Sequence, residues 1–267
     1  TDEVLDISEP GINCDADATT AIPVGSIIII EGEWCKVTAT GTTLTVIRGY
    51  HGTTAATHAT NQDIRVWLPN NGTIIGTVWT RLSSGLWALD FDGTDDIIDL
   101  GNPGSLTSAD FTIEAWIYPT VLTSAGEQIY GKDDEAAARQ LVVGRTDTAN
   151  TIEFVVFNAA GGVSVFNGTT AMTQNKWWLL VAVYTYVAAG TSLMDVYLNG
   201  VIDATQKTNA VGPVTNKVLN FGIGGKTTSP VTREFTGKIA LVKVFNRALS
   251  AGEIASNYNQ ERHLFGV

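Results

Sequence analysis

Apolar residues in this chain come in short runs, alternating with polar positions and broken by Gly, Asn, Pro and Thr. That is the punctuation of strands rather than helices. In the first 69 residues the runs are 26–30 (SIIII), 34–39 (WCKVTA), 44–47 (LTVI) and 63–68 (DIRVWL). Turns at Glu31-Gly32-Glu33 and Thr40-Gly41-Thr42 separate the first three, so a small β-meander is predicted at 1–69. Pro69-Asn70-Asn71-Gly72 carries no hydrophobic period and is read as the boundary.

Beyond it, at 73–267, strands are predicted over 86–91, 96–100, 111–118, 127–131, 140–144, 152–157, 162–166, 177–186, 194–199, 218–224 and 238–245. In FTIEAWIY, Phe111, Ile113, Ala115 and Ile117 share one face, and Thr112, Glu114, Trp116 and Tyr118 share the other, which predicts a half-buried strand. Asn199-Gly200 is the strongest hairpin signal, because both central residues of a type I′ turn need positive φ. One helix is predicted near the C-terminus: Ser250 and Glu253 form a capping box, and Ile254 and Tyr258 share a face. The fold class expected is all-β: a small N-terminal β module, then a jelly-roll sandwich with one short C-terminal helix.

Composition sharpens this. The chain is 44% hydrophobic and only 16% charged, enough for a core and unlike a disordered chain. A net charge of −11 without a basic cluster argues against nucleic-acid binding. The longest apolar run, 177–187, is too short to span a bilayer and reads as a core strand. The chain opens without Met or an apolar leader, which reads as a trimmed or processed start. Cys14 and Cys35 belong to no CxxC pair, so zinc is not expected; one disulfide and two buried thiols both remain open.

Seven fragments of the second region stand in a telling order: LDFDGTDDIIDLG (89–101), FTIEAWIYP (111–119), IYGKDD (129–134), NKWWLLVAVY (175–184), VYLNGV (196–201), FGIGG (221–225) and FTGKIALVKVFNRALSAGEI (235–254). Together they resemble the laminin-G-like, concanavalin-A-like jelly-roll family. The first region, IPVGSIIIIEGEWCKVTATGTTLTVIRGYHGTTAATHA (22–59), resembles a small β module that recurs in tailed-phage virion proteins. The jelly-roll resemblance implies glycan or protein binding through loops, often with a calcium ion. The module implies a structural part of a virion.

The residues themselves offer little catalytic chemistry. Asp90, Asp92, Asp95, Asp96 and Asp99 make an oxygen-rich stretch of the kind Ca²⁺ uses, with Asp92 the first-choice ligand. The jelly-roll resemblance, however, places an acidic ligand where this chain has Ala240, so no cofactor is expected. Glu114 stands alone, without the E-x-D-x-x-E string of some concanavalin-A-like hydrolases, and is expected to be a structural residue near a sheet edge. There is no G-x-S-x-G or H-E-x-x-H, and His263 is read as a disordered surface residue of the tail. FGIGGKTT (221–228) mimics a phosphate loop but has Asn220 where the first Gly belongs, and it lies between strands. The sequons at Asn71 and Asn167 are read as chance in a phage or bacterial protein. Of Trp79, Trp87, Trp116, Trp177 and Trp178, most are expected in the core; Trp79, Trp87 and Trp177 are the candidate loop aromatics for a sugar.

In IRGYHGTTAATHA, His51 and His58 have neither a nucleophile nor a paired carboxylate, so catalysis is not expected. Gly49 and Gly52 fit tight turns, the Thr residues fit local hydrogen bonds, and Arg48 is expected to pair with Glu31 or Glu33. The function expected is a non-enzymatic structural or surface protein of a tailed-phage virion, extracellular on the particle. It would dock through the N-terminal module onto other virion proteins, form a homo-oligomer (trimer first) and touch glycans through the jelly roll. A secreted bacterial glycan-binding lectin is the alternative, and a divergent glycoside hydrolase the third.

Overall fold

In the computed structural model the polypeptide divides into two compact units, Thr1–Asn71 and Gly72–Val267. The described residues are 11–13, 22, 24–41, 43–59, 64–67, 72–102, 110–122, 126–135, 139–146, 149–158, 162–188, 191–204, 207–209, 214, 217–228 and 233–267. Cys14 and, of the predicted Pro69–Gly72 boundary, Pro69, Asn70 and Asn71 fall outside them.

Unit 1 is one antiparallel sheet of β1 (Gly11–Asn13), β2 (Ile27–Ile30), β3 (Glu33–Ala39), β4 (Thr43–Ile47) and β5 (Ile64–Trp67). The order is β1-β4-β3-β2-β5, so the predicted meander β2–β3–β4 forms the centre. Alternation places Ile28, Ile30, Cys35, Val37, Leu44 and Val46 on one buried face, with Ile12 and Ile22 packed among them. Cys35 carries a free thiol in this core, where burial and then the Glu33 charge push it up to about 12.

Unit 2 runs through β6 (Thr73–Ile75), β7 (Val78–Arg81), β8 (Trp87–Asp92), β9 (Ile97–Asp99), β10 (Phe111–Pro119), β11 (Glu127–Asp133), β12 (Arg139–Arg145), β13 (Ile152–Phe157), β14 (Val163–Asn167), β15 (Trp178–Ala188), β16 (Thr191–Leu198), β17 (Val201–Ile202), β18 (Lys207–Asn209), β19 (Gly222–Ile223) and β20 (Thr236–Phe245). A helix, α1 (Ala251–Glu261), and a 3₁₀ turn, Arg262–Leu264, follow. One sheet has the order β17-β16-β15-β10-β20-β8-β7, with β18 on β16; the other has β14-β13-β12-β11-β19-β9-β6. The two sheets bury a common core that includes Phe91, Phe111, Ile113, Phe154, Tyr184 and Phe221. The architecture is the expected all-β sandwich with one C-terminal helix.

Two sequence expectations are confirmed in detail. Ser250 and Glu253 form the capping box of α1, and Asn199 and Gly200 have φ of 50° and 80°, as a type I′ turn demands. Three others are corrected. β10 is not half-buried: Phe111 to Ile117 are buried on both faces. Its second face packs under α1 in a separate cluster of Trp116, Trp177, Leu179, Val181, Ala240, Ile254 and Phe265. Glu114 therefore lies on an interior strand, between β15 and β20, not near a sheet edge. His263 lies in the 3₁₀ turn, next to the segment that buries Phe265, so it is exposed but not disordered. The edge strands β6 and β7 were not predicted, because TII and VWTR are too short to show a period.

Candidate functional site

The histidine and glycine motif of unit 1 is built around one carboxylate. Glu33 is in phase with Cys35 and Val37, opposite Ile30, so its side chain enters the apolar face. Arg48 continues the phase of Leu44 and Val46 on the neighbouring strand and meets it. Arg48 Nε donates to Glu33 Oε1 at 2.7 Å and Nη2 to Oε2 at 2.7 Å, a two-pronged pair. The backbone N–H groups of Gly49 and Ala56 donate to the same carboxylate, each at 3.0 Å. His58 Nε2 lies 2.8 Å from Glu33 Oε2, and its Nδ1 lies 3.0 Å from Glu31 Oε2.

Of the two acids expected beside Arg48, Glu33 is the partner, and Glu31 serves His58 instead. Burial pushes the Glu33 carboxyl up, but Arg48, Ala56, His58 and Gly49 together outweigh it and hold the group far below the usual carboxylate range. Gly49 is required here: its φ is 62°, and a Cβ would sit 2.8 Å from Thr53 O. Thr53 locks the loop, donating from Oγ1 to Tyr50 O and accepting from Trp34 N. His51 falls in the short 3₁₀ turn Tyr50–Gly52. Arg48, Gly49, Ala56 and His58 converge on Glu33, His58 also reaches Glu31 and Thr53 takes the N–H of Trp34, so the motif closes as a clasp around one carboxylate.

In unit 2 the five aspartates separate. Asp90 pairs with Lys238 at 2.6 Å, and Asp99 accepts from Gly101 N and Asn220 Nδ2. Asp92, Asp95 and Asp96 bring one carboxylate oxygen each within 4.8 Å of one another, the one such group among the described residues. Asp96 Oδ2 accepts from Asp92 N and Asp92 Oδ1 from Thr94 N, so part of the cluster holds its own turn. Burial and then the neighbouring Asp92, Asp95 and Asp90 charges raise the Asp96 carboxyl, against the hydrogen bond from Asp92 N. The register sets Thr236 opposite Asp92, while Ala240 lies buried opposite Trp116.

The mock phosphate loop is closed to phosphate: Lys226 is buried and its Nζ lies 3.0 Å from Glu135 Oε2.

The tryptophans divide by burial. Trp116 and Trp177 are core residues of the cluster beneath α1, and Trp178 donates from Nε1 to Thr173 O. Trp177 is thus no loop aromatic: it packs against Tyr118 and Phe265, with ring centroids 5.4 and 4.7 Å away. Trp79 and Trp87 are 55% and 53% exposed. Trp79 stands directly opposite Leu89, and Arg81 directly opposite Trp87. Leu89 turns to the inter-sheet core, so Trp79, Arg81 and Trp87 share that inner face. Being half exposed there, the two indoles lie where the opposing sheet no longer covers the β7–β8 pair. They form an aromatic shelf at the edge of the sandwich, with the diagonal neighbours roughly 7–8 Å apart. Type alone nominated both residues; their exposure depends on where the other sheet stops.

The family model for laminin-G-like domains of the concanavalin A-like lectin/glucanases superfamily matches residues 92–255. The chain belongs to this superfamily. No curated protein matches it. Among solved structures it is similar to domain 4 of AbnA, an extracellular arabinanase from Geobacillus stearothermophilus, in complex with arabinotriose, with 20% identity and a TM-score of 0.51 over 69% of this chain and 86% of that one. It is also similar to the binding domain of Paraclostridial Mosquitocidal Protein 1 (14% identity, TM-score 0.54, 74% and 49%) and to that of botulinum neurotoxin serotype G (13% identity, TM-score 0.54, 79% and 49%). This chain spans about half of those binding domains. At these identities the likeness concerns the fold.

A cation, common in laminin-G-like domains, would be held here by Asp92, Asp95 and Asp96, whose crowded charges it would relieve. A glucanase would need paired carboxylates in an open cleft. Glu114 is instead fully buried. Asn257 Nδ2 donates to its two oxygens at 3.0 and 3.2 Å, and Lys243 Nζ lies 3.5 Å away, shared with Glu261.

Burial, helped by the Glu261 charge, raises the Glu114 carboxyl despite Asn257 and Lys243. A raised folded value means that the native state binds this proton more readily than the unfolded chain, so this contribution to stability grows as pH falls through the folded value towards the ordinary carboxylate range. Glu114→Gln is therefore expected to change stability at pH 7 by no more than about 1 kcal/mol, and the wild type should gain on the variant as pH falls. Urea midpoints for both proteins across that window check this; a wild type that loses ground on acidification contradicts it.

Proposed function

We propose that this is a non-enzymatic surface protein of a tailed-phage virion, whose concanavalin A-like sandwich contacts glycans through the Trp79–Trp87 shelf. The carrying observation is the shelf itself: two half-exposed indoles on one face of an edge hairpin. Large aromatic faces left open side by side, rather than singly scattered apolar residues, are the kind of surface that marks a ligand site. A flat indole face, negative in its quadrupole, suits the positively polarised C–H face of a sugar ring. The arabinanase domain with arabinotriose illustrates a sandwich of this shape taking an oligosaccharide.

The virion reading rests on unit 1, where the residues that carry the resemblance to phage modules are the ones that build the Glu33 clasp. Unit 1 would dock to capsid or tail proteins, and the copies would be displayed as a homo-oligomer, a trimer first, as symmetric particles favour. Glu114, buried and held by Asn257 and Lys243, is engaged in packing α1 onto the sheet, which supports a structural role for it rather than an acid–base one.

A glycan array tests the reading with the wild type and the Trp79→Ala/Trp87→Ala double variant. Binding by the wild type and a loss of at least about tenfold in the variant is expected, with thermal midpoints nearly equal because both residues are exposed. No binding by the wild type, or equal binding by both proteins, overturns the shelf. Turnover of any bound polysaccharide overturns the non-enzymatic role. Antibody labelling of intact particles separates the virion protein from a secreted lectin with the same shelf.

A further inference from the structure

The shelf carries a cation, Arg81, for which the described residues supply no ion pair. Arg81 is exposed, lies directly across the ladder from Trp87 and two residues along the same face from Trp79. Among the described residues no carboxylate pairs with it. Five other arginines are each held by an acid: Arg48 by Glu33, Arg139 by Asp133, Arg145 by Glu127, Arg233 by Glu153 and Arg247 by Glu253. In a chain of net charge −11, acids for such a pairing abound. The nearest on the strand pair is Asp90, which stands opposite Val78 on the other face and is engaged by Lys238.

We infer that the shelf recognises a sugar bearing a carboxylate, with Arg81 as its anion-binding residue beside the two indoles. This deepens the glycan reading and rests on it. The chemistry fits in three respects. A guanidinium offers two parallel N–H donors matched to a carboxylate, and pairs with it in a fixed plane. Trp79 and Trp87, neighbours of Arg81 on its own face, supply apolar area that a hydrated surface cation lacks, and Trp and Arg are both residue types enriched where binding energy concentrates. The overall negative field of the protein disfavours polyanions at long range, so selectivity for an acid has to come from a local fork such as this one. A neutral sugar would leave the guanidinium unmatched, and a protein partner would need more buried area than one hairpin offers.

The experiment uses the full chain on an array of uronate- and sialate-bearing oligosaccharides, each spotted beside its methyl ester, together with neutral oligosaccharides. The strongest acidic ligand and its ester are then titrated by tryptophan fluorescence. The wild type is expected to bind the free acid at least about tenfold more tightly than the ester. Arg81→Gln should bring that ratio close to one, and Arg81→Lys should restore part of it. Binding confined to neutral sugars, equal affinity for acid and ester, or an unchanged ratio in Arg81→Gln each overturns the inference and leaves the glycan reading standing. Binding to none of the sugars overturns both.

Discussion

Replacing Glu33 by Gln is expected to unfold most of unit 1 while unit 2 keeps its structure. The carboxylate is almost wholly buried and takes hydrogen bonds from Arg48, Gly49 and Ala56, with His58 on its remaining side. A Gln side chain keeps one acceptor oxygen and turns an N–H₂ group towards donors. Arg48, whose side chain is only 8% exposed, is then left charged without its counter-ion. Breaking a buried pair from one side costs roughly 3–5 kcal/mol, which is a large part of the stability of a unit this small.

Hydrogen exchange of the full chain is the direct measurement, because it reports each unit separately. Amides of β2, β3 and β4 should lose protection, and those of β10 and β15 should not change. Retained protection in β3 and β4 would mean that the clasp is dispensable. The pH signature runs opposite to that of Glu114. A depressed folded value gives stability that is fully present above the ordinary carboxylate range and is lost as pH falls towards the folded one. The gap between wild type and Glu33→Gln should therefore narrow below about pH 4, while the gap for Glu114→Gln moves the other way.

These two glutamates also mark how far the sequence can be read. An acid beside Arg48 is expected from the sequence, but Glu33 reads there as the last residue of a turn, so Glu31 and Glu33 stand level; the strand begins at Glu33 and puts it in phase with Cys35 and Val37, which decides between them. The part of His58 was not visible, since it depends on a loop returning over 25 residues to the same carboxylate. β10 shows a related gap. Its alternation marks the face of Phe111 and Ile113 correctly, but nothing local announces that the other face is covered. That cover comes from residues more than a hundred positions later: Thr112 Oγ1 donates to Arg247 O, and Trp116 Nε1 to Glu261 Oε2.

Trp177 and Trp87 follow the same logic in opposite senses. They are identical in type, yet one is sealed by Phe265 and the other is left open where a sheet ends. Side-chain chemistry nominates a binding residue, but long-range packing decides whether it is available. The edge strands β6 and β7 complete the point, since the shelf rests on one of them and neither carries enough residues to show a period.

The same long-range cover makes Trp116 a sensitive position of the sandwich. It is fully buried between the sheet and the C-terminal segment. Its ring stacks on Phe265 at 4.1 Å and on Tyr258 at 5.7 Å, and its Nε1 donates to Glu261 Oε2 at 2.8 Å. Trp116→Ala removes a side chain that joins the sheet to Tyr258 and Glu261 of the helix and to Phe265 beyond it, and is expected to cost about 3–5 kcal/mol. The loss should appear as a lower urea midpoint for unit 2 and as faster exchange in α1, because the helix has few apolar anchors of its own: Ile254 is its one buried residue. Trp116→Phe separates the contributions. It keeps an aromatic ring against Phe265 and gives up only the Nε1 hydrogen bond and some area, so it should cost about 1–2 kcal/mol. If Trp116→Ala lowers stability by less than Trp116→Phe is expected to, the helix is held by its polar contacts, Asn257 to Glu114 and Lys243 to Glu261, and the aromatic stack is incidental.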